Sequence, residues 1–166
     1  PLGNYAILRH NALTSDFQAL VTAAGLSSRR EVHQAFDTAA DSFGHRPDLL
    51  VYRWDGPRTV AFDVTVVHCQ GSSYLPTSAN QPGHAARQAA QRKRAKYDPL
   101  AQRVGLGFVP LAVEVFGRFD APFEKALQHC FDLLFQSQPY LQRGAVVHYW
   151  RARMSVSLQR SNASAV

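Results

Sequence analysis

Two acidic residues and the turn between them carry the most chemical information in this sequence. Asp48 precedes the apolar run Leu49-Leu50-Val51-Tyr52, Asp55-Gly56-Pro57 has turn composition, and Asp63 lies inside the β-prone run Thr59 to Val67. Two such runs joined by a short turn predict a β-hairpin, whose strands lie about 4.8 Å apart and bring both carboxylates near one end. Paired carboxylates are hard oxygen donors suited to Mg2+ or Mn2+, which generates hydroxide from water and stabilises the charge growing on a phosphodiester under attack. The expected chemistry is therefore metal-dependent cleavage of a phosphate ester, with Asp48 and Asp63 as metal ligands.

Asp63 is the only ionisable group in Val60-Ala61-Phe62-Asp63-Val64-Thr65-Val66-Val67. A lone carboxylate in so apolar a run is costly unless it is paired or bound to metal; the plainer alternative is an edge strand with Asp63 facing water. Strand alternation puts Ala61, Asp63, Thr65 and Val67 on one face, so Thr65 stands beside the acid in a supporting place. A cation can come from Lys93-Arg94-Ala95-Lys96-Tyr97. On a helix Lys93 and Tyr97 are four apart and share a face, with Lys96 one position round, so one ammonium can reach a site at the strand ends. Either lysine fits; Lys93 is favoured because it pairs with Tyr97. The competing reading is a solvated basic face. Glu114 either supports the site or caps the edge of its strand. His33, His68, His84, His129 and His148 show no metal-ligand spacing, which argues against zinc.

The elements that must position these groups follow from periodicity. Phe17, Leu20 and Val21 predict a helix over 14–24, capped by Thr14 or Ser15 and stopped at Gly25. Residues 29–37 suit a helix or a short strand, and 41–45 read as a loop. The Gly/Ser/Pro-rich stretch 70–83 predicts a surface loop able to fold over a ligand. Ala85 to Leu100 predicts a basic helix, and Phe108 to Phe116 a strand buried on both faces, with Pro110 near its start. Asp120 to Gln136 predicts a capped amphipathic helix, Val146 to Leu158 a last basic helix, and 159–166 a loose tail. This order predicts an α/β domain with a mixed central sheet flanked by helices.

Arg46-Pro47-Asp48, fourteen residues, then Asp63-Val64-Thr65 resembles the PD-(D/E)XK nuclease core. More narrowly, the chain is similar to the restriction-enzyme-like endonuclease of site-specific non-LTR retrotransposons, in which an RPD or KPD triplet is followed by a DVTV segment. That segment stands here as Asp63-Val64-Thr65-Val66. The family's lysine has moved from the strand to a K-x-x-K-Y segment of the next helix, which Lys93 to Tyr97 matches. Arg9-His10-Asn11 resembles its RHN motif, which is associated with DNA binding or local structure, Pro110 to Gly117 its strand after the basic helix, and Trp150 to Ala163 its closing W-R…L-Q-R-x-N-A segment.

The resemblance implies nicking of double-stranded target DNA to leave a 3′-hydroxyl as primer for target-primed reverse transcription. The partners implied are the target duplex, the retrotransposon RNA and a reverse transcriptase in the same polyprotein, in the nucleus. Asp48, Asp63, Lys93 and Lys96 are then the catalytic set, and Glu31 is either the N-terminal helix carboxylate that some nucleases of this class add to the metal site or a surface salt-bridge partner. Arg9, His10, Asn11, Arg46, Arg92 and Arg94 are the expected nucleic-acid contacts. The main alternative is a nuclease-fold DNA- or RNA-binding module that has lost its chemistry, and a bacterial restriction or repair nuclease is a third.

Composition agrees with this class. The 166 residues suit one domain, and 46% hydrophobic content supplies a core. Eighteen Lys and Arg against twelve Asp and Glu give a net charge of +6, which fits a polyanionic partner. Cys69 and Cys130 are too few for a disulfide framework, so a reducing intracellular compartment and two core thiols are expected. No apolar stretch is long enough for a membrane span and no signal segment opens the chain. Pro1-Leu2-Gly3 resembles a cloning remnant, and the missing initiator Met suggests a fragment of a longer chain.

Overall fold

Helix α1 spans Leu2–Ala23 in the computed structural model, which describes residues 2–38, 44–70 and 80–163 and, within the first turns, side chains from Ala6 onward. It begins well before the predicted start because residues 4–13 contain no Gly or Pro to stop it. Thr14 and Ser15 are not caps. Their hydroxyls donate to the carbonyls of His10 and Asn11, both at 2.8 Å, which accommodates them inside a helix. The expected stop is present. Gly25 takes φ +82°, its N–H donates to Thr22 O, and Leu26 N–H donates to Val21 O, a Schellman end that requires a residue at ease in the left-handed region.

Four strands follow as β1 (Ser28–Arg30), β2 (Leu49–Asp55), β3 (Arg58–Val67) and β4 (Gly107–Glu114), in the spatial order β1-β2-β3-β4. The first three are antiparallel, with Leu49 opposite Phe62 across the hairpin. The ambiguous segment thus supplies a short strand followed by a turn. Helix α2 (His84–Arg103) is the crossover that lets β4 run parallel to β3, with Asp63 opposite Pro110. It continues past Pro99, because the next turn buries Ala101 beside Tyr97 and Phe108. Helices α3 (Ala121–Ser137) and α4 (Arg143–Ala163) complete the chain. The expected α/β class with a mixed sheet between helices is therefore observed.

Strand alternation divides the core as the pattern requires. On one face Phe62 and Val64 join Leu13, Phe17, Leu111, Phe123, Leu127 and Met154 under α1, α3 and α4. On the other, Leu50, Ala61, Phe36, Tyr97 and Phe108 form a cluster under α2, and Ala86, Ala89 and Ala90 meet Ala112. Four alanines at that contact let α2 approach the sheet closely, which is what allows a side chain from its next turn to reach β3.

Two further expectations need correction. Residues 159–163 are helical rather than a loose tail, because Asn162 donates to Val115 O at 2.8 Å and accepts from Arg9, tying α4 to the rest of the fold. Cys69 is only partly buried, since it follows the end of β3, whereas Cys130 is a core thiol; both are free. The 41–45 and 70–83 loops lie largely outside the described residues. Among the described residues no helix is long and apolar enough to cross a membrane.

Asp120 caps α3 as expected, its carboxylate accepting from Phe123 N–H at 2.9 Å. Burial pushes its pKa up to about 6 from 3.8, and the backbone donors Phe123 and Ala112 offset this only in part. A carboxyl whose folded pKa is raised favours folding below its unfolded value and loses that contribution as pH rises through the folded one. Stability should therefore fall between about pH 4 and 6. Asp120→Asn keeps the cap acceptor without the charge, so urea melts across that range should lose this component. Asp120→Ala should instead cost about 1 kcal/mol through loss of the cap.

Candidate active site

The hairpin presents its two acids differently. Asp48, just before β2, accepts the Val64 backbone N–H through Oδ2 at 2.6 Å, so a side-chain-to-backbone bond joins the start of β2 to the middle of β3. Its Oδ1 lies 3.1 Å from His10 Nε2. His10 reaches there from α1, and its Nδ1 lies 3.0 Å from Val64 O. A carbonyl and a carboxylate accept only, so the ring satisfies both partners as the doubly protonated imidazolium. The Asp48 hydrogen bond raises the His10 pKa, against burial and with help from the charges of Asp48 and Asp63.

Asp63 is almost wholly buried, and its Oδ2 lies 2.8 Å from Lys93 Nζ. Thr65 Oγ1 donates to the same oxygen at 3.3 Å, as the alternation of β3 places it to do. Burial raises the Asp63 pKa and the nearby negative charge of Asp48 raises it further, while Lys93 and His10 pull it back. Burial disfavours the Lys93 ammonium, but the Asp63 charge and hydrogen bond prevail and leave its pKa raised. The four groups therefore form one electrostatic unit of two carboxylates and two cations. Lys93→Gln removes the main cation acting on Asp63, so its carboxyl should titrate at higher pH than in the parent chain. Carboxyl-carbon NMR measures that shift, and an unmoved or lowered pKa would refute the coupling.

The remaining candidates lie farther out. Lys96 is exposed, with Nζ 4.9 Å from the centre of the Tyr97 ring, and Lys93 Nζ is 5.4 Å from the same centre. Tyr97 is buried against Phe36 and Phe108 and acts as a platform for both lysines. Glu31 pairs with Arg46 at 3.6 Å on the surface, and only its backbone N–H meets Asp48, at the carbonyl oxygen. Its side chain is directed to Arg46 because Glu31 takes φ +46° as the chain leaves β1. Arg46 also approaches His33. Arg9 Nη1 donates to Asn162 Oδ1 at 3.3 Å, and Asn11 is exposed on α1. Arg92 and Arg94 are exposed on α2. Buried Glu114 lies opposite Val67, remote from Asp63 along the sheet, with its Oε1 unpartnered among the described residues.

Among the described residues no group of three or more His, Cys, Asp or Glu side chains is arranged to hold a metal. Mg2+ commonly takes one or two carboxylates and completes its shell with water and substrate phosphate oxygens. Asp48 and Asp63 supply that donor class, and Asp63 uses only Oδ2 for Lys93 and Thr65. The sequence associates His10 with DNA binding or local structure; its bridge between Asp48 and Val64 was visible only as an Arg-His-Asn triplet, since the sequence does not say which face of α1 meets the sheet. Comparison of the chain with family models and with curated proteins finds no match to either.

Proposed function

We propose that this chain is a metal-dependent DNA endonuclease domain of the PD-(D/E)XK type, akin to those of site-specific non-LTR retrotransposons. The observation that carries the reading is Lys93 Nζ at 2.8 Å from Asp63 Oδ2, an ammonium from the crossover helix delivered to a buried strand acid whose pKa also responds to Asp48. A helix, an antiparallel three-strand run, a crossover helix and a parallel fourth strand are the order such a core calls for.

A divalent ion bound by Asp48 and Asp63 would supply the activated water and the charge stabilisation at phosphorus. Lys93 holds Asp63 in place and offers positive charge to the attacked phosphate, and Thr65 fixes the acid's rotamer. His10 restrains Asp48 against β3. Exposed Lys96 and Arg92 meet the phosphate backbone of the duplex. Nicking would leave the 3′-hydroxyl that a reverse transcriptase of the same polyprotein extends on the element's RNA, in the nucleus.

One observation favours a second reading, a nucleic-acid-binding module without chemistry: both Asp48 oxygens already have donors, in His10 and Val64. Incubation of supercoiled plasmid with the protein separates the two. Relaxation with Mg2+ or Mn2+ that EDTA abolishes is the result expected of the enzyme; retained DNA binding with no relaxation under either ion supports the module.

A further inference from the structure

The region around the β2–β3 turn and the start of β4 carries a second cluster of cations. A cleft of about 440 Å³ is lined there by Trp54, Arg58, Arg94, Gly107 and His129. A second cleft shares Trp54, Arg94, Val109 and His129 with it and adds Lys125, so the two form one groove between α2 and α3 across the first residues of β4. Three permanent cations face it from three different elements, against one lining carboxylate, Asp55. Among the described residues the ion pair of Arg94 is a loose 3.9 Å contact with Asp98 on its own helix.

Gly107 is part of this arrangement. Its φ is not in the left-handed region, so the backbone does not demand glycine. Space does: a Cβ there would stand 2.9 Å from Val60 Cγ2, 3.1 Å from Arg58 Nε and 3.2 Å from Arg58 Nη2. The missing side chain leaves room for the Arg58 guanidinium to lie across the start of β4. His129 Nε2 donates to Trp54 O, and the two rings lie 4.4 Å apart. Trp54 also packs edge-on against Phe62, so its ring is a wall of the groove rather than an open stacking surface for bases.

We infer that this groove is a second nucleic-acid site, which holds the phosphodiester backbone of a strand away from Asp63 and without regard to sequence. Arg58 precedes Asp63 by five residues, roughly 16 Å along β3. Arg94 and Lys93 are neighbours on α2, yet Lys93 turns to Asp63 and Arg94 to the groove. Phosphate fits a lining rich in guanidinium and ammonium donors and poor in acceptors. The site does not depend on cleavage, and its test runs in EDTA.

Arg58 and Lys125 are both exposed, so Arg58→Ala/Lys125→Ala removes two cations without opening the core. Anisotropy titrations of oligothymidine and of a duplex should show affinity reduced about tenfold or more near 0.1 M salt. The slope of log K against log salt should shrink by roughly 1.4 for the single strand or 1.8 for the duplex. The charge-matched Arg29→Ala/Arg143→Ala, remote from the groove, should move both much less. Unchanged affinity and slope in the groove variant, or equal losses in the two variants, would overturn the inference. A loss confined to one nucleic acid identifies which form of backbone the groove takes. Plasmid nicking by the parent chain is read separately, so an inactive enzyme with intact groove binding leaves this result standing.

Discussion

Asp63→Ala should lower Mg2+-dependent nicking by at least about 10³-fold while leaving DNA affinity within a few-fold of the parent. The variant removes one of two carboxylates and the anchor that holds Lys93, so both the metal ligand and the oriented ammonium are lost together. It should not unfold the domain. Burial already opposes ionisation of Asp63, so the carboxylate is held for its partners rather than for core stability. Lys93 is partly exposed and can turn its ammonium to water once the acid is gone. Asp63→Asn is the sharper companion, since it keeps volume and an acceptor while removing the charge. Nicking at the parent rate by either variant would remove Asp63 from the chemistry. Loss of nicking and folding together in Ala, with a folded and inactive Asn variant, would keep the assignment.

Phe17→Ala should destabilise the fold by about 3–5 kcal/mol, a large share of the roughly 5–15 kcal/mol typical of a domain. Its ring is fully buried and touches three others, with centres 5.3 Å from Phe62, 5.8 Å from Phe123 and 6.4 Å from Trp54. Those rings belong to β3, to α3 and to β2, so one side chain joins α1 to most of the core. Urea unfolding with an unchanged m-value would measure the loss, and a change below about 1 kcal/mol would show that the site collapses around the smaller residue. His10 lies two helical turns before Phe17 on α1, so the same variant should weaken the restraint on Asp48. Nicking should decline well before global unfolding as temperature rises.

The site was legible where chemistry and local pattern coincide. Asp63 declared itself as a charge in a strand of apolar residues, Asp48 by its place ahead of the hairpin, and Thr65 by alternation. Lys93 was favoured over Lys96 from its spacing to Tyr97, and the structure directs Lys93 to Asp63 and leaves Lys96 on the surface. Glu31 was not resolvable in this way. Whether its carboxylate meets the acids or Arg46 depends on the path of the chain after β1, which left-handed Glu31 and Gln34 set. Sequence periodicity carries no information on such a turn.

Helix boundaries show the same division. Gly25 and Asp120 marked two ends through local hydrogen bonds, which short-range sequence encodes. The far ends of α2 and α4 depended on contacts from elsewhere: Ala101 under Phe108, and Asn162 with Val115 and Arg9. By itself the sequence determined the class of fold, the hairpin with its two acids and the basic helix that follows, because each is written in spacing over a few residues. Only the tertiary structure decided that His10 closes on Asp48, that Arg9 leaves its neighbour to bind α4, and that Arg58, Arg94 and Lys125 share one groove. Those meetings join residues far apart in the chain, and packing across the sheet, rather than any local preference, fixes which faces come together.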